Sequence, residues 1–152
     1  MSASYTWSPI GTVHTDVPDE DVPRRRRDML STIVVDPRYE PGLAGVEAYS
    51  HLIVLFWMHR TPRPASLVHT PHGEPDQPAR GTFALRSRNR PNPVGLAVVD
   101  LVAREGSRLI VRRLDAFDGT PVIDIKPYDY YDVFTDIRVP DWSNSARNRV
   151  RT

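Results

Sequence analysis

Turns rich in proline and glycine divide this chain into short apolar runs, and this division restricts the fold more than any other feature. In one run, Leu96, Val98 and Asp100 fall on one face, as the period-two alternation of a strand requires. The continuous apolar run at 51–58 predicts a strand buried on both faces, and only residues 41–50 suggest helical turns. Strands are predicted at residues 5–14, 29–35, 51–58, 82–87, 94–104, 107–116 and 121–126. This pattern predicts a mainly β fold: a small closed or nearly closed antiparallel-rich β-barrel with one short helix and long loops.

Length and composition are those of one globular domain. The 152 residues are enough for a real core, and 39% hydrophobic with 26% charged residues are typical of soluble proteins. We expect a barrel domain at residues 1–140 and a basic, flexible tail at residues 141–152. The longest apolar run, residues 52–58, is too short to span a membrane, and no secretion signal is recognisable. With no cysteine in the chain, we expect a cytoplasmic protein without disulfides, thiolate metal sites or a membrane partner.

Arginine supplies nearly all of the positive charge. The chain has 20 basic and 19 acidic residues, and Lys126 is its single lysine. Proteins that bind long nucleic acids nonspecifically are usually more basic. A coding bias explains the excess of arginine, but planar guanidinium groups also suit carboxylates and phosphates. Two interpretations are likewise open for the arginines at 24–27 and for Arg147, Arg149 and Arg151. These side chains are either solvated surface residues or contacts for anions and nucleic acid.

An arginine-rich segment before the strand at 94–104 suggests a ligand site. In an extended chain Arg86, Arg88 and Arg90 would share one face, because side chains alternate with period two. Pro91 and Pro93 fix their own backbone angles and favour extended neighbours. A stiff segment of this kind predicts guanidinium groups aimed at an anion.

Two further segments are candidates for ligand contacts. The sequence at 118–121, Asp-Gly-Thr-Pro, predicts a tight turn with Gly119 at positive φ. It is either an ordinary hairpin turn or a site where backbone N–H groups and the Asp118 carboxylate bind hydroxyl or amine groups. His59 and Arg60 follow the strand at 51–58, where side chains at a barrel rim either bond to a loop or contact a ligand.

No metal site is predicted. His69 and His72 are three residues apart in a proline-rich loop, but the histidines lack the spacing of a zinc site. The P-loop, GxSxG, GxGxxG and HExxH patterns are absent from the sequence as well. From the residues alone, the sequence predicts a barrel with arginines at its rim and goes no further.

Read in order, the motifs resemble those of a known family. They are GVEAYSH at 45–51, LIVLFWMH at 52–59, FALRS at 83–87, RPNPVGL at 90–96 and DGTPVIDIKPY at 118–128. This set is similar to that of the TsaA-like (TrmO) family of S-adenosylmethionine-dependent methyltransferases. The similarity covers about residues 7–135, and the last two motifs together are highly specific.

The resemblance implies a function, a cofactor and a partner. Such proteins are β-barrels, usually homodimers, that hold S-adenosyl-L-methionine near the subunit interface. Better-studied members methylate N6 of threonylcarbamoyladenosine beside the anticodon of certain tRNAs. The positions of this chain that match the family's cofactor contacts are Pro23, Arg24, Arg25, His59, Arg60, Arg86, Leu96, Asp118, Gly119, Thr120 and Pro121.

The chemistry of the cofactor is consistent with these positions. Arg86 suits its carboxylate, Leu96 its adenine, and the turn at Asp118 its polar groups. Because the sulfonium already activates the methyl group, alignment matters most, and no catalytic residue is assigned. The candidates for a catalytic role are Asn92, Asp124, Lys126 and Tyr128.

The chain departs from the family at two positions. The family's first loop tends to read Pro-Arg-Gln, whereas this chain has an arginine at 25, and Arg60 stands where glutamine often follows His59. Members proven to act on tRNA also tend to carry an additional C-terminal domain. Two alternatives therefore stay open: a methyltransferase for a small-molecule or other non-tRNA acceptor, and a cofactor-binding regulatory module without turnover.

Overall fold

A computed structural model describes residues 3–71 and 76–143, and these residues form eight strands and several short helices. The strands are β1 (Gly11–His14), β2 (Leu30–Val35), β3 (His51–Trp57), β4 (Val68–His69), β5 (Arg80–Gly81), β6 (Val94–Glu105), β7 (Arg108–Arg112) and β8 (Pro121–Pro127). Helix α1 is Val22–Arg25, and 3-10 helices are present at Pro37–Leu43, Val46–Ala48, Thr82–Ala84 and Tyr130–Asp132.

Six strands close an antiparallel barrel in the order β1-β2-β7-β6-β3-β8, while β4 and β5 pair with each other. The barrel closes where β1 pairs with β8, with Gly11 opposite Val122. A Cβ atom at Gly11 would lie 2.5 Å from the carbonyl oxygen of Val34, so the close approach of β2 requires glycine there. The predicted mainly β barrel with one short helix and long loops is confirmed.

Alternate residues of the strands fill the barrel interior. In β3, Leu52, Val54 and Phe56 are buried, whereas Leu55 and Trp57 are half-buried on the outer face. The prediction that this strand is buried on both faces is therefore wrong, because only the inner face of a single-layered barrel packs against a core. The buried apolar core is Val13, Ile33, Val35, Leu43, Leu52, Val54, Phe56, Ala97, Val99, Leu109, Val111, Leu114, Ala116 and Val122.

The segment at 82–87 is not the predicted strand. Thr82–Ala84 forms a 3-10 helix, because the Thr82 N–H bonds to the Leu67 carbonyl at 2.8 Å and Arg90 bonds to carbonyl groups of this turn. The first strand begins at Gly11 rather than at residue 5. The other five predicted strands begin at, or one residue after, their predicted positions.

Because neighbouring strands are antiparallel, the connections gather at two opposite ends of the barrel. One end holds the C-termini of β1, β3 and β7 and the N-termini of β2, β6 and β8. We call it the Asp118 end, after the turn that leads into β8. The opposite end holds the 3-10 helices Pro37–Leu43 and Val46–Ala48 and the chain that follows β8.

Several expectations concern features beyond these strands. Within residues 3–71 and 76–143, no helix has the length and apolar character needed to cross a bilayer. In the same ranges, no three histidine, aspartate or glutamate side chains are grouped so that they could hold a metal ion. His72 and residues 144–152, which include Arg147, Arg149 and Arg151, lie outside the described residues. The boundary between barrel domain and tail at residue 140 stays a prediction.

Candidate functional site

All four segments predicted to contact a cofactor lie at the Asp118 end of the barrel. Residues 23–25 belong to α1, which precedes β2, and residues 59–60 follow β3. Arg86 belongs to the loop before β6, and residues 118–121 lead into β8. These segments are far apart in the sequence, so the antiparallel order of the strands is what brings them to one end.

The turn at 118–121 has the predicted conformation, with Gly119 at φ +78°. The Asp118 carboxylate accepts a hydrogen bond from the Thr15 N–H at 3.1 Å and lies 3.5 Å from His14 Nδ1. Both contacts involve Oδ1 of Asp118. Oδ2 has no donor within the described part of the chain, so it is available to a ligand.

Two backbone N–H groups of this turn already have acceptors in the fold, so they are not free for the ligand contacts that one interpretation of the sequence gives them. The Gly119 N–H donates to the Val13 carbonyl at 2.8 Å, and the Thr120 N–H donates to the Phe117 carbonyl at 3.2 Å. Pro121 has no N–H, and Thr120 is buried. The Gly119 bond joins the turn to β1 and the Thr120 bond closes the turn itself, so the Asp118 carboxylate is the group of the turn that remains for a ligand.

Arg60 connects its own segment to the Asp118 turn and to Asp19, which precedes α1. Its guanidinium pairs with Asp19 in the loop before α1, and its Nη2 atom donates to the Asp118 carbonyl at 3.3 Å. Nε of Arg60 lies 3.4 Å from Nε2 of His59, and its Cζ lies 5.8 Å from the centroid of the Phe117 ring. One guanidinium therefore couples the positions of the loop before α1, the residues after β3 and the Asp118 turn.

The arginines of α1 are exposed and paired with nearby carboxylates. Arg24 pairs with Asp21, and Arg25 Nε donates to Asp28 at 3.2 Å. Pro23 occupies the first turn of the helix, where a missing N–H is tolerated. Exposed pairs of this kind contribute little stability. Their guanidinium groups can therefore be redirected to a stronger anionic partner.

A second interaction relates α1 to the Asp118 turn. Desolvation raises the pKa of the Asp115 carboxyl, and the positive charge of Arg26 opposes that rise. Arg26 directly follows α1, whereas Asp115 lies between β7 and the Asp118 turn. The interaction therefore joins the residue after α1 to the residues that precede the Asp118 turn.

The fourth segment joins the site through β6. Arg86 Nη2 donates to the Leu96 carbonyl at 3.4 Å, and both side chains are exposed. The Met58 N–H donates to the Pro93 carbonyl at 2.8 Å, which places the loop before β6 directly beside His59. Arg86 and Leu96 thus adjoin the residues that follow β3.

The predicted row of three arginines is wrong. Arg86 contacts Leu96, and Arg88 has no hydrogen-bond or ion-pair partner among residues 3–71 and 76–143. Arg90 turns toward its own loop, because the segment coils instead of extending, and its Nη1 atom donates to the carbonyl groups of Leu85, Thr82 and Ser87 at 2.6, 3.2 and 3.3 Å.

Two of the four candidates for a catalytic role neighbour these segments. Asn92 is exposed in the loop before β6. Asp124 pairs with Leu55, which also pairs with Leu96, so Asp124 and Leu96 lie two strands apart on the outer face. Asp124 also lines the cleft of about 680 Å³ that contains Lys126, so it lies between the Asp118 end and that cleft.

Of the other two candidates, Lys126 lies near the end of β8 and Tyr128 follows that strand, toward the opposite end of the barrel. Lys126 Nζ is 2.7 Å from Asp124 Oδ2, and this hydrogen bond raises the pKa of Lys126. Lys126 lines a cleft of about 680 Å³ together with Tyr49. Tyr128 lines another, of about 480 Å³, and its ring centroid lies 6.2 Å from that of His51. None of the predicted cofactor residues lines either cleft.

Sequence reasoning does not single out Asp19 and His14, although both belong to the site. Asp19 sits in a charged loop that is typical of solvated surface, yet it pairs with Arg60. His14 ends β1, and its ring faces Asp118. The position of His14 at the end of a predicted strand is the one signal that the sequence contains for either residue.

Relatives of this chain carry names that refer to S-adenosylmethionine. A "Probable S-adenosyl-L-methionine-binding protein" of Archaeoglobus fulgidus is 49% identical over 108 residues, which cover 70% of this chain and 29% of that protein. An "S-adenosyl-L-methionine-binding protein" of the same organism is 46% identical over 123 residues, which cover 79% of this chain and 86% of the relative. The chain therefore spans less than a third of one relative and most of the other.

A solved structure shares the fold. The crystal structure of TrmO from Pseudomonas aeruginosa matches with a TM-score of 0.72 and 31% identity, over 90% of this chain and 62% of that one. The chain thus spans less than two thirds of TrmO. The family model for the tRNA-methyltransferase O N-terminal domain matches residues 12–133, a range that includes every predicted cofactor residue. This chain therefore belongs to the family of the tRNA-methyltransferase O N-terminal domain.

Proposed function

We propose that this chain binds S-adenosyl-L-methionine at the Asp118 end and transfers its methyl group to N6 of threonylcarbamoyladenosine in tRNA. The observation that carries the proposal is the convergence of four family-matched segments at that end. Family membership and the names of relatives support the same cofactor and reaction class. The proposed cofactor residues are Pro23, Arg24, Arg25, His59, Arg60, Arg86, Leu96, Asp118, Gly119, Thr120 and Pro121.

The side chains at this end fit the groups of S-adenosylmethionine. The Arg86 guanidinium donates one hydrogen bond to a backbone carbonyl in the described residues. Its other N–H groups can therefore bind a carboxylate. Asp118 Oδ2 can accept a hydrogen bond from the ammonium group. Leu96 is 49% exposed and offers an apolar surface to adenine. The site therefore presents the charges and the apolar contact that the cofactor needs.

Positioning is the main task of these residues. The cofactor supplies a methyl group that its sulfonium already activates, so an attacking amine needs alignment more than a strong base. Arg60 couples the loop before α1 to the Asp118 turn and so holds the two sides of the site at a fixed spacing. Asn92 and Asp124 are the proposed candidates for contact with the acceptor.

We extend the proposal to a homodimer. Val94 and Leu96 are exposed on the outer face of β6, beside half-buried Leu55 and Trp57 of β3. The ring of Trp7 packs on that of Trp57, with centroids 5.3 Å apart. A second copy on this apolar face would also cover Leu96, which agrees with a cofactor near the subunit interface.

The proposal also covers location and domain organisation. Because tRNA is the proposed acceptor, the proposed location is the cytoplasm. The proposed barrel domain is residues 1–140, followed by a basic tail at residues 141–152.

Methyl transfer tests the proposal directly. The protein is incubated with methyl-labelled S-adenosylmethionine and tRNA from cells that lack its gene, and the tRNA is digested to nucleosides. We expect label in methylated threonylcarbamoyladenosine. Unlabelled tRNA, together with cofactor binding by calorimetry, would contradict the acceptor and favour either a small-molecule acceptor or a regulatory module. Absence of cofactor binding would contradict the proposal as a whole.

A further inference from the structure

We propose that residues 80–90, the arginine loop, bind an unpaired stretch of the RNA acceptor, with Phe83 stacked on a base and Arg88 on a neighbouring phosphate. This inference rests on the proposed function and names a contact surface for its acceptor. Neither Phe83 nor Arg88 belongs to the proposed cofactor residues. The loop leads through Pro91 and Pro93 into β6 at the Asp118 end.

The four arginines of this loop have no carboxylate partner in the described parts of the chain. Residues 77–99 contain four arginines and no aspartate or glutamate. Elsewhere at the Asp118 end, Arg24 pairs with Asp21 and Arg60 with Asp19. The arginine loop therefore forms a local positive surface in a chain whose net charge is only +1.

The contacts of the loop arginines leave their charge in place. Cζ of Arg80 lies 4.4 Å from the centroid of the Trp142 ring, and Arg86 and Arg90 donate to backbone carbonyls. Neutral partners orient a guanidinium but do not cancel its charge. Arg88 is exposed and has no hydrogen-bond or ion-pair partner in the described ranges.

Phe83 is an exposed aromatic ring on an anchored loop. It is 78% exposed, whereas Thr82 and Leu85 on either side of it are buried. The Thr82 hydroxyl donates to the Asn89 carbonyl, and Arg90 fixes three further carbonyls of the loop. The ring therefore stands out from a turn that is held in shape, and it contributes no buried surface to the core.

An exposed ring beside uncompensated guanidinium groups matches unpaired RNA better than duplex RNA or an acidic protein. Unpaired bases can stack on an aromatic side chain while arginines bind the flanking phosphates. A duplex hides the faces of its bases, and an acidic peptide needs the arginines but not the ring. RNA bound here lies next to the proposed cofactor site, because the Pro93 carbonyl bonds to the Met58 N–H beside His59.

Fluorescence anisotropy with the full chain tests the inference. The probes are two fluorescein-labelled RNAs of equal length, a hairpin with an unpaired loop and a blunt duplex. We expect Phe83→Ala to weaken hairpin binding about fivefold or more, and Phe83→Tyr to retain it. Arg88→Ala should weaken binding and reduce the slope of log affinity against log salt by roughly 0.7.

Matched controls lie at the other end of the barrel. Tyr131 is 90% exposed and belongs to the 3-10 helix Tyr130–Asp132, and Arg108 is an exposed arginine at the start of β7. Tyr131→Ala and Arg108→Ala should bind the hairpin as the wild type does. Calorimetric affinity for S-adenosylmethionine should be unchanged in Phe83→Ala and Arg88→Ala, because neither residue belongs to the proposed cofactor set.

The possible outcomes separate this inference from the proposed function. Wild-type affinity for the hairpin in both Phe83→Ala and Arg88→Ala would overturn the inference. It would leave the proposed function standing, because methyl transfer to tRNA is measured in a separate assay. Equal loss of hairpin and duplex binding in Phe83→Ala would also overturn it, because a stacked base must be unpaired. Binding of polyglutamate that needs Arg88 but not Phe83, without RNA binding, would assign the loop to an acidic protein instead. A wild-type protein that binds cofactor but neither RNA would contradict both the loop and the tRNA acceptor.

Discussion

At the scale of single residues, the glycine of the RPNPVGL motif is explained by one close contact. Gly95 pairs with Phe56, and a Cβ atom at Gly95 would overlap the Phe56 ring and come within 2.8 Å of its Cδ2 atom. We expect Gly95→Ala to lower the free energy of unfolding by about 1–3 kcal/mol through overpacking. Gly42→Ala is the matched control, since a Cβ there meets nothing within 4 Å. Urea unfolding of both variants measures the difference, and equal stability would contradict this account.

Two side chains of the proposed site can be tested by charge removal. Arg86→Ala removes the guanidinium proposed to bind the cofactor carboxylate. Asp118→Asn removes the negative charge proposed to bind the cofactor ammonium group. We expect each change to weaken S-adenosylmethionine binding about tenfold or more, because hydrogen bonds to charged groups contribute roughly 1.5–3 kcal/mol. Calorimetry measures the affinity, and unfolding curves confirm that the barrel is intact. Wild-type affinity in both variants would refute this placement of the cofactor.

At the scale of elements, Arg90 holds the arginine loop in its coiled shape. Its Nη1 atom donates to three backbone carbonyls, and the contacts are partly buried. Arg90→Ala leaves the carbonyls of Leu85 and Ser87 without their donor, while the Thr82 carbonyl keeps the Leu85 N–H, so we expect a loss of about 1–3 kcal/mol in stability. Arg88→Ala, two residues away and exposed, should change stability by less than about 0.5 kcal/mol. Thermal unfolding of Arg90→Ala and Arg88→Ala measures the two losses of stability. Similar losses in both variants would contradict a structural role for Arg90 alone.

The same loop shows what local sequence can and cannot predict. β3 and β6 are recognisable because their apolar residues alternate or run together between turn residues. The segment at 82–87 has similar composition, but its shape is set by the Leu67 carbonyl and the Arg90 side chain, which local propensity does not include. The four segments proposed to hold the cofactor are recognisable by resemblance. Their coupling through Arg60 and Asp19 depends on strand order, which no short motif encodes.

The cap of the 3-10 helix Pro37–Leu43 should make stability depend on pH. Asp36 accepts hydrogen bonds from the side chain and the backbone N–H of Arg38, and both lower the pKa of its carboxyl below the ordinary value. A carboxyl whose pKa is lowered by folding stabilises the fold above its unfolded-state pKa, and the effect is lost as the pH falls through the folded-state pKa. We therefore expect the stability difference between wild type and Asp36→Asn to shrink below about pH 4. Urea unfolding across this range measures it, and a constant difference would contradict the assignment.

At the scale of the whole molecule, the barrel separates two surfaces with different chemistry. The Asp118 end gathers the proposed cofactor residues and the arginine loop, while the opposite end holds the clefts lined by Lys126 and Tyr128. The outer face of β3 and β6 runs between them and is apolar near Val94 and Leu96. A partner on this face would meet the proposed cofactor site at Leu96. Dimerisation and cofactor binding should therefore be linked.

The proposed dimer is tested by placing a charge on this face. Val94 is 39% exposed and lies beside Leu96, whereas Val102 is 48% exposed and lies farther along the same strand. If a second copy covers Val94, Val94→Arg buries an unpaired charge in the interface and should dissociate the dimer. Val102→Arg is the control and should leave the dimer intact. Light scattering should give about twice the chain mass of 17.3 kDa for the wild type and for Val102→Arg, and the chain mass for Val94→Arg. Because Leu96 is shared with the proposed cofactor site, Val94→Arg should also weaken S-adenosylmethionine binding by calorimetry. A monomeric wild type would rule out the dimer, and a dimeric Val94→Arg would place its interface on another face.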